Sequence, residues 1–199
     1  MMVILSVAAL VCGVLAGTLD VLPGALDFLR KHTGAVLYVL MFSVGISVGL
    51  HRGLLQELRR HHVKILIIPL GITAASALGG VVCSLITRMP LGLGAAITSG
   101  MGWYSLAGVT IGNLAGAQAG SIAFLSNLMR EIISFFLIPP LAARFNSYTC
   151  IAPAGATSED TTLPMMIRYT NEETVVLSVL NGMICSALVP VLISLFCSL

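Results

Sequence analysis

Four ionisable residues lie where an apolar chain should tolerate none. Arg130 and Glu131 interrupt FLSNLMREIISFFLIPPL (124–141), and Glu159 and Asp160 sit within PAGATSEDTTLP (153–164). In lipid a charged side chain is costly, and those that persist face a bundle interior or a wet cavity and mark ion or substrate pathways. On a helix Asn127 lies one turn before both Arg130 and Glu131, so the three share a polar stripe that Ser134 continues. Adjacent residues point about 100° apart, so Arg130 and Glu131 cannot both aim at one point. At least one must reach another segment, and 153–164 is the candidate. There, two carboxylates stand beside the hydroxyls of Thr157, Ser158, Thr161 and Thr162. That set suits an ammonium group, Na⁺ or H⁺. The bland alternatives are an ion pair that fastens helices at 130–131 and a plain loop at 157–162. The apolar flanks CIAPAGA and LPMMI argue against the loop.

These residues need elements to hold them, and composition names the class. Of 199 residues, 57% are hydrophobic and 9% charged, against about 25% charged in soluble domains. Mean hydropathy is +1.02. Ten basic and eight acidic residues cannot cover a soluble fold of this size. The chain reads as an all-α integral membrane protein, one membrane domain over 1–199. Soluble enzymes, nucleic-acid binders and disulfide scaffolds are excluded by the same numbers. At about 20 apolar residues per span, spans fall near 2–19, 34–50, 63–87, from 91, 120–141 and 174–198. That makes about six transmembrane helices, plus a broken or re-entrant segment near 150–168. Pro153 and Pro164 oppose a continuous helix there, and Gly155 permits unusual dihedrals. Broken helices at membrane depth survive only where they are buried in protein or line a cavity, and transporters use them to bind ions.

Span 1 lacks a basic start and is expected to be a retained helix. The loop HRGLLQELRRHHVK (51–64) holds Arg52, Arg59, Arg60 and Lys64, which places it and the N-terminus in the cytoplasm. His61 and His62 are adjacent, with no Cys or carboxylate at ligand spacing, so no metal site is expected. The five cysteines stand singly in apolar surroundings, as small hydrophobes. No cofactor is implied. In TSGMGWYSLAGVTIGNLAGAQAG (98–120), Gly108, Gly112, Gly116 and Gly120 form a small-residue stripe for close helix packing. Trp103, Tyr104 and Ser105 lie deep in the apolar run. They are expected to wall a pocket, where an aromatic face can attract an ammonium group.

GMGWYSLAG (100–108), LSNLMREI (125–132) and PAGATSEDTTLP (153–164) together resemble the bacterial lysine exporter family of the LysO type, over about 34–198. The resemblance implies a secondary transporter of the bacterial inner membrane that exports L-lysine and its toxic analogues. It implies a fold grouped with the cation/proton antiporters and anion transporters, with discontinuous helices in inverted repeats. The family's ATS-x-D aspartate corresponds to Asp160, which Glu159 precedes where an uncharged residue is expected. The family's Asn-Asp-Leu-x-Arg-Glu pattern reads Ser126-Asn127-Leu128-Met129-Arg130-Glu131, with one acidic position lost. Full members carry a further membrane half before the matched region. This chain therefore resembles a C-terminal half, expected to form a homodimer or a heteromer with a separately encoded N-terminal-half protein.

Lysine leaving an inside-negative cell moves uphill by about 2.3 kcal/mol per 100 mV, which exchange for an entering H⁺ or Na⁺ cancels. Asp160 is the first candidate for the coupling carboxylate, with Glu131 or Glu159 second. The expected partners are L-lysine, H⁺ or Na⁺ and the lipid bilayer, with no nucleic acid. Three alternatives stay open: another monovalent-cation/proton antiporter of this fold, an organic-anion transporter with Arg130 as anion clamp, and an accessory membrane subunit. An intramembrane enzyme is disfavoured, because the spans hold one Asp and no His.

Overall fold

The computed structural model describes residues 62–199 continuously and only scattered helical positions before them. The chain divides into two compact units, 1–43 and 44–199. The predicted spans at 2–19 and 34–50, the loop up to His61 and the orientation read from it lie outside the described residues. From 62 onward the helices are α1 (His62–Thr87), α2 (Leu91–Thr98), α3 (Tyr104–Ala115), α4 (Ala117–Arg144), α5 (Ile151–Ala154), α6 (Leu163–Tyr169) and α7 (Glu172–Cys197). Short 3-10 turns occupy Ser147–Cys150 and Gly155–Glu159. Among the described residues there is no strand.

Three helices are long and apolar enough to cross a membrane: Ile65–Thr87, Ala117–Arg144 and Glu172–Cys197, of 23, 28 and 26 residues. They match the spans expected at 63–87, 120–141 and 174–198. Their outward faces carry Ile67, Ile86, Leu125 and Phe136, the last 74% exposed. That is the wrong way out for water and the right way for lipid. The chain is an all-α membrane protein.

The span expected from 91 is not continuous. It is two helices, α2 and α3, separated by Ser99–Trp103. Met101 at φ 47 and Gly102 at φ 98 turn the backbone out of the helix in two steps. The left-handed conformation costs a non-glycine residue roughly 1–2 kcal/mol, so the neighbours must hold Met101 in place. Its backbone and side chain are fully buried, and its sulfur accepts a hydrogen bond from Thr73 Oγ1 at 3.6 Å.

Small residues set the packing. A Cβ on Gly120 would strike the Gly108 carbonyl and the Gly112 Cα, and one on Gly80 would strike the Gly94 carbonyl. So α3 meets α4, and α1 meets α2, backbone against backbone. The glycine stripe therefore joins two helices of the same chain, except for Gly116, which forms the open turn between them. Cys150 and Cys185 are buried as expected, whereas Cys83 faces outward, an apolar setting of a different kind on a lipid-facing helix. Ile138, Cys150, Ala154 and Met166 form one core cluster that seats α5 and α6 on α4.

Candidate functional site

A helix end inside a membrane has no water for its last carbonyls, so the protein must supply donors. Helix α5 is only four residues long, and all four of its carbonyls need one. The Ile151 carbonyl accepts from the Gly155 N–H. Ala152 and Pro153 accept from Arg130 Nη2 and Nε at 3.1 and 3.2 Å. Ala154 accepts from Thr157 Oγ1 at 2.9 Å. Arg130 Nη1 also donates to Ser76 Oγ on α1 at 2.9 Å. The guanidinium thus caps a broken helix through neutral oxygens. The sequence suggested an ion pair, but among the described residues no carboxylate takes that place.

One turn earlier, Asn127 does the same for the other break. Its Nδ2 donates to the Ile97 carbonyl at 2.8 Å, and its Oδ1 accepts from the Gly102 N–H at 2.9 Å. The two breaks touch directly, because the Ala156 N–H donates to the Met101 carbonyl at 2.9 Å. Gly155, at φ 60, leaves no room for a side chain between the Met101 carbonyl and Arg130. Two interrupted helices therefore meet, each held by a side chain of the α4 stripe.

The second break is also pinned to α7. Ser158 Oγ donates to the Ser178 carbonyl and Ser178 Oγ to the Ser158 carbonyl, at 2.7 and 2.8 Å. Asn181 Nδ2 donates to the Gly155 carbonyl and to Ser158 Oγ at 2.9 and 3.0 Å. Glu159 lies over Gly182 and accepts from Ser186 Oγ at 2.8 Å. Sequence reasoning missed Ser178, Asn181, Gly182 and Ser186. A signal was present, since they repeat at helical spacing along one face of an otherwise apolar span.

Most of the predicted hydroxyls are engaged in this scaffold. Thr157 closes α5, Ser158 binds α7, and Thr162 Oγ1 donates to the Thr157 carbonyl at 2.9 Å. Trp103 ends the first break. Tyr104 packs edge-on against Phe124, 5.3 Å between ring centroids, and Ser105 is exposed.

Glu131 is different. It is 1% exposed, and among the described residues neither carboxyl oxygen meets a hydrogen-bond partner. Ser134 Oγ donates only to the Glu131 backbone carbonyl, at 2.6 Å. Thr161 and Asp160 are the groups that act on the carboxyl, and Thr161 Oγ1 is itself buried and unpartnered. Thr161 lies close enough to the Glu131 carboxyl to act on it as a hydrogen-bonding neighbour. Asp160 is exposed beside them and accepts from the Thr161 N–H. Burying a polar group without a hydrogen bond costs about 1–3 kcal/mol, more if charged. Glu131 and Thr161 thus bring a carboxyl and a hydroxyl together at one buried point that the hydrogen bonds of the two breaks do not use.

The family model described as Lysine exporter LysO matches residues 7–197. The protein named Lysine exporter LysO of Escherichia coli K12 is 35% identical over 188 residues, covering 93% of this chain and 62% of that protein. The protein named Putative lysine exporter of Haemophilus influenzae Rd is 35% identical over 194 residues, covering 96% of each. The chain thus spans less than two thirds of the first relative and nearly all of the second. No solved structure gives a significant match.

Proposed function

Because the chain belongs to the lysine exporter LysO family, we propose that it forms the ion- and substrate-binding part of a secondary transporter. That transporter exports L-lysine and its toxic analogues across the bacterial inner membrane, in exchange for H⁺ or Na⁺. It works as a homodimer or as a heteromer with a separately encoded N-terminal-half protein. The observation that carries this reading is the buried carboxyl of Glu131 with both oxygens unpartnered.

The mechanism follows from a competition for that carboxyl. In one state Glu131 is ionised and accepts the lysine ammonium, with Thr161 Oγ1 as a further acceptor and Asp160 at the exposed side. In the other state a proton occupies Glu131 and the ammonium is released. One positive charge then leaves for each that enters, which removes the electrical cost of about 2.3 kcal/mol per 100 mV. Asp160 attracts the cation toward the buried group. Asn127, Arg130, Thr157, Ser158 and Thr162 keep the crossing rigid, so that Glu131 stays unpaired until the guest arrives. Glu159, held by Ser186, is the reserve carboxyl on the α7 side.

Lysine efflux from proteoliposomes tests this. The chain is reconstituted alone and together with the part of the Escherichia coli relative that lies outside the match. Efflux is expected to follow an imposed pH or Na⁺ gradient and to vanish in Glu131→Gln. Wild-type efflux from a well-inserted Glu131→Gln protein would refute the assignment. Transport of K⁺ or an organic anion, without competition by lysine, would move the chain to the other transporters of this fold.

A further inference from the structure

Glu131 is buried, and Asp160 and Thr161 reach it from the tip of the second break. A cation in water cannot meet such a carboxyl until a segment moves, so one seam around the site must open. The course of the chain shows which elements surround it. Leu91 at the start of α2, Ala115 at the end of α3 and Phe196 near the end of α7 line one groove, so the first break is the tip of a hairpin that enters and leaves at one face. From there α4 runs to the other face. Cys150 and Ala154 before the second break and Met166 after it cluster on Ile138, near the end of α4. The second break is therefore the tip of a hairpin from the opposite face. The two tips meet where the Ala156 N–H donates to the Met101 carbonyl.

The two hairpins are seated by different means. In the first, Gly94 lies backbone to backbone on Gly80 of α1, and Gly108 and Gly112 lie so on Gly120 of α4. Backbones interlocked in this way leave no slack for one arm to move alone. The second hairpin, 147–169, rests its apolar side on α4 through the Ile138 cluster. Its other side meets α7 through side-chain hydrogen bonds: the reciprocal Ser158–Ser178 pair, Asn181 to Gly155 and Ser158, and Ser186 to Glu159. The close approach of Glu159 to Gly182 lies at the tip. Hydroxyl and amide bonds exchange for bonds to water with little net change, so this seam parts more readily than a glycine seam. The chain permits the movement, because Thr170 and Asn171, which join α6 to α7, are both extended.

We infer that the seam between the second hairpin and α7 is the gate of the exchange site, and that the first hairpin is its fixed wall. The inference deepens the exporter reading above and rests on it for the identity of the cation. Opening separates Ser158 from Ser178 and carries Thr161 and Asp160 off Glu131. Closing buries the carboxyl again, as lids do over other sites that must exclude water.

The test locks the seam in the full chain in its membrane. Ser158→Cys and Ser178→Cys are combined and oxidised, and the 158–178 disulfide is confirmed by peptide mass spectrometry. The reciprocal bonds of 2.7 and 2.8 Å hold the two residues within a disulfide's reach. Access is read as modification of Glu131 by a water-soluble carbodiimide, each oxidised sample being compared with its own reduced half. Oxidised wild type, with its five cysteines, controls for other disulfides. Oxidation is expected to slow modification of Glu131 at least tenfold, and dithiothreitol to restore it. Failure of the disulfide to form, or equal modification in the two halves, would overturn the gate. Hydrogen exchange of wild type tests it without a variant. Peptides from 155–169 should exchange at least tenfold faster than those from 91–115, and equal or greater protection of 155–169 would also overturn it. Lysine efflux in the same preparations separates the two claims. Undiminished efflux through the locked seam refutes the gate and leaves the exporter reading standing. Gated access to Glu131 without lysine efflux in the reduced half does the reverse.

Discussion

The two helix breaks look alike in outline and differ in what they leave over. The first, Ser99–Trp103, is uncharged, and the carbonyls of Ile97, Thr98, Gly100, Met101 and Gly102 all accept hydrogen bonds. The second begins the same way, with Arg130, Asn181 and Ser178 fastening 152–158. Its exit, Glu159–Thr161, carries two carboxylates, and Thr161 faces the unpartnered Glu131. A broken helix is therefore not by itself a site. On the proposed reading it becomes one where the scaffold stops satisfying its own polar groups. The α4 stripe makes the point within one turn: Asn127 and Arg130 have structural work, and Glu131 has none.

If that contrast is right, Glu131→Gln gives the largest functional effect. Lysine efflux should fall by roughly 100-fold or more, the scale of a positioned proton-transfer group, with no loss of thermal stability. Arg130→Ala should show the opposite pattern. It orphans the Ala152 and Pro153 carbonyls, at about 1–3 kcal/mol each, with the lower end applying in membranes. A thermal unfolding series should show a marked drop for Arg130→Ala. Arg168→Ala, which loses only a contact with the Tyr169 ring at 5.4 Å, should stay within about 0.5 kcal/mol of wild type. Equal midpoints for the two would remove Arg130 from the scaffold.

Asp160→Asn comes next. Asp160 is exposed, so the amide should fold normally and slow efflux about tenfold, or about 1.4 kcal/mol. An unchanged initial rate would confine the chemistry to Glu131. The smallest effects separate hydroxyls. Thr157→Val removes a cap bond and should cost about 1 kcal/mol of stability. Thr161→Val removes no bond to the backbone of the break and should leave stability unchanged while lowering apparent lysine affinity. Identical behaviour of the two would erase the distinction between engaged and unengaged groups.

The membrane class, the three long helices and the polar stripe at 127–131 were legible in the sequence, because apolar runs and misplaced charges are local signals. The second break was legible from Pro153, Gly155 and Pro164. The first was not, since nothing in the span expected from 91 announces Met101 at positive φ. The division of labour was also hidden. Sequence spacing placed Arg130 near 153–164, yet could not show that it meets carbonyls and not a carboxylate. It offered four hydroxyls as equals, when Thr157 and Thr162 close the backbone of the break itself and Ser158 binds α7. The burial of Glu131 was hidden for the same reason, since it is a three-dimensional fact.

The most direct measurement is modification of the protein in its membrane by dicyclohexylcarbodiimide, which attacks carboxyl groups in apolar surroundings, mapped by peptide mass spectrometry with and without L-lysine. The account predicts labelling at Glu131, slowed as lysine concentration rises and unaffected by an uncharged amino acid of similar size. Labelling at Glu159 or Asp160 with Glu131 untouched, or a Glu131 rate indifferent to lysine, would contradict it.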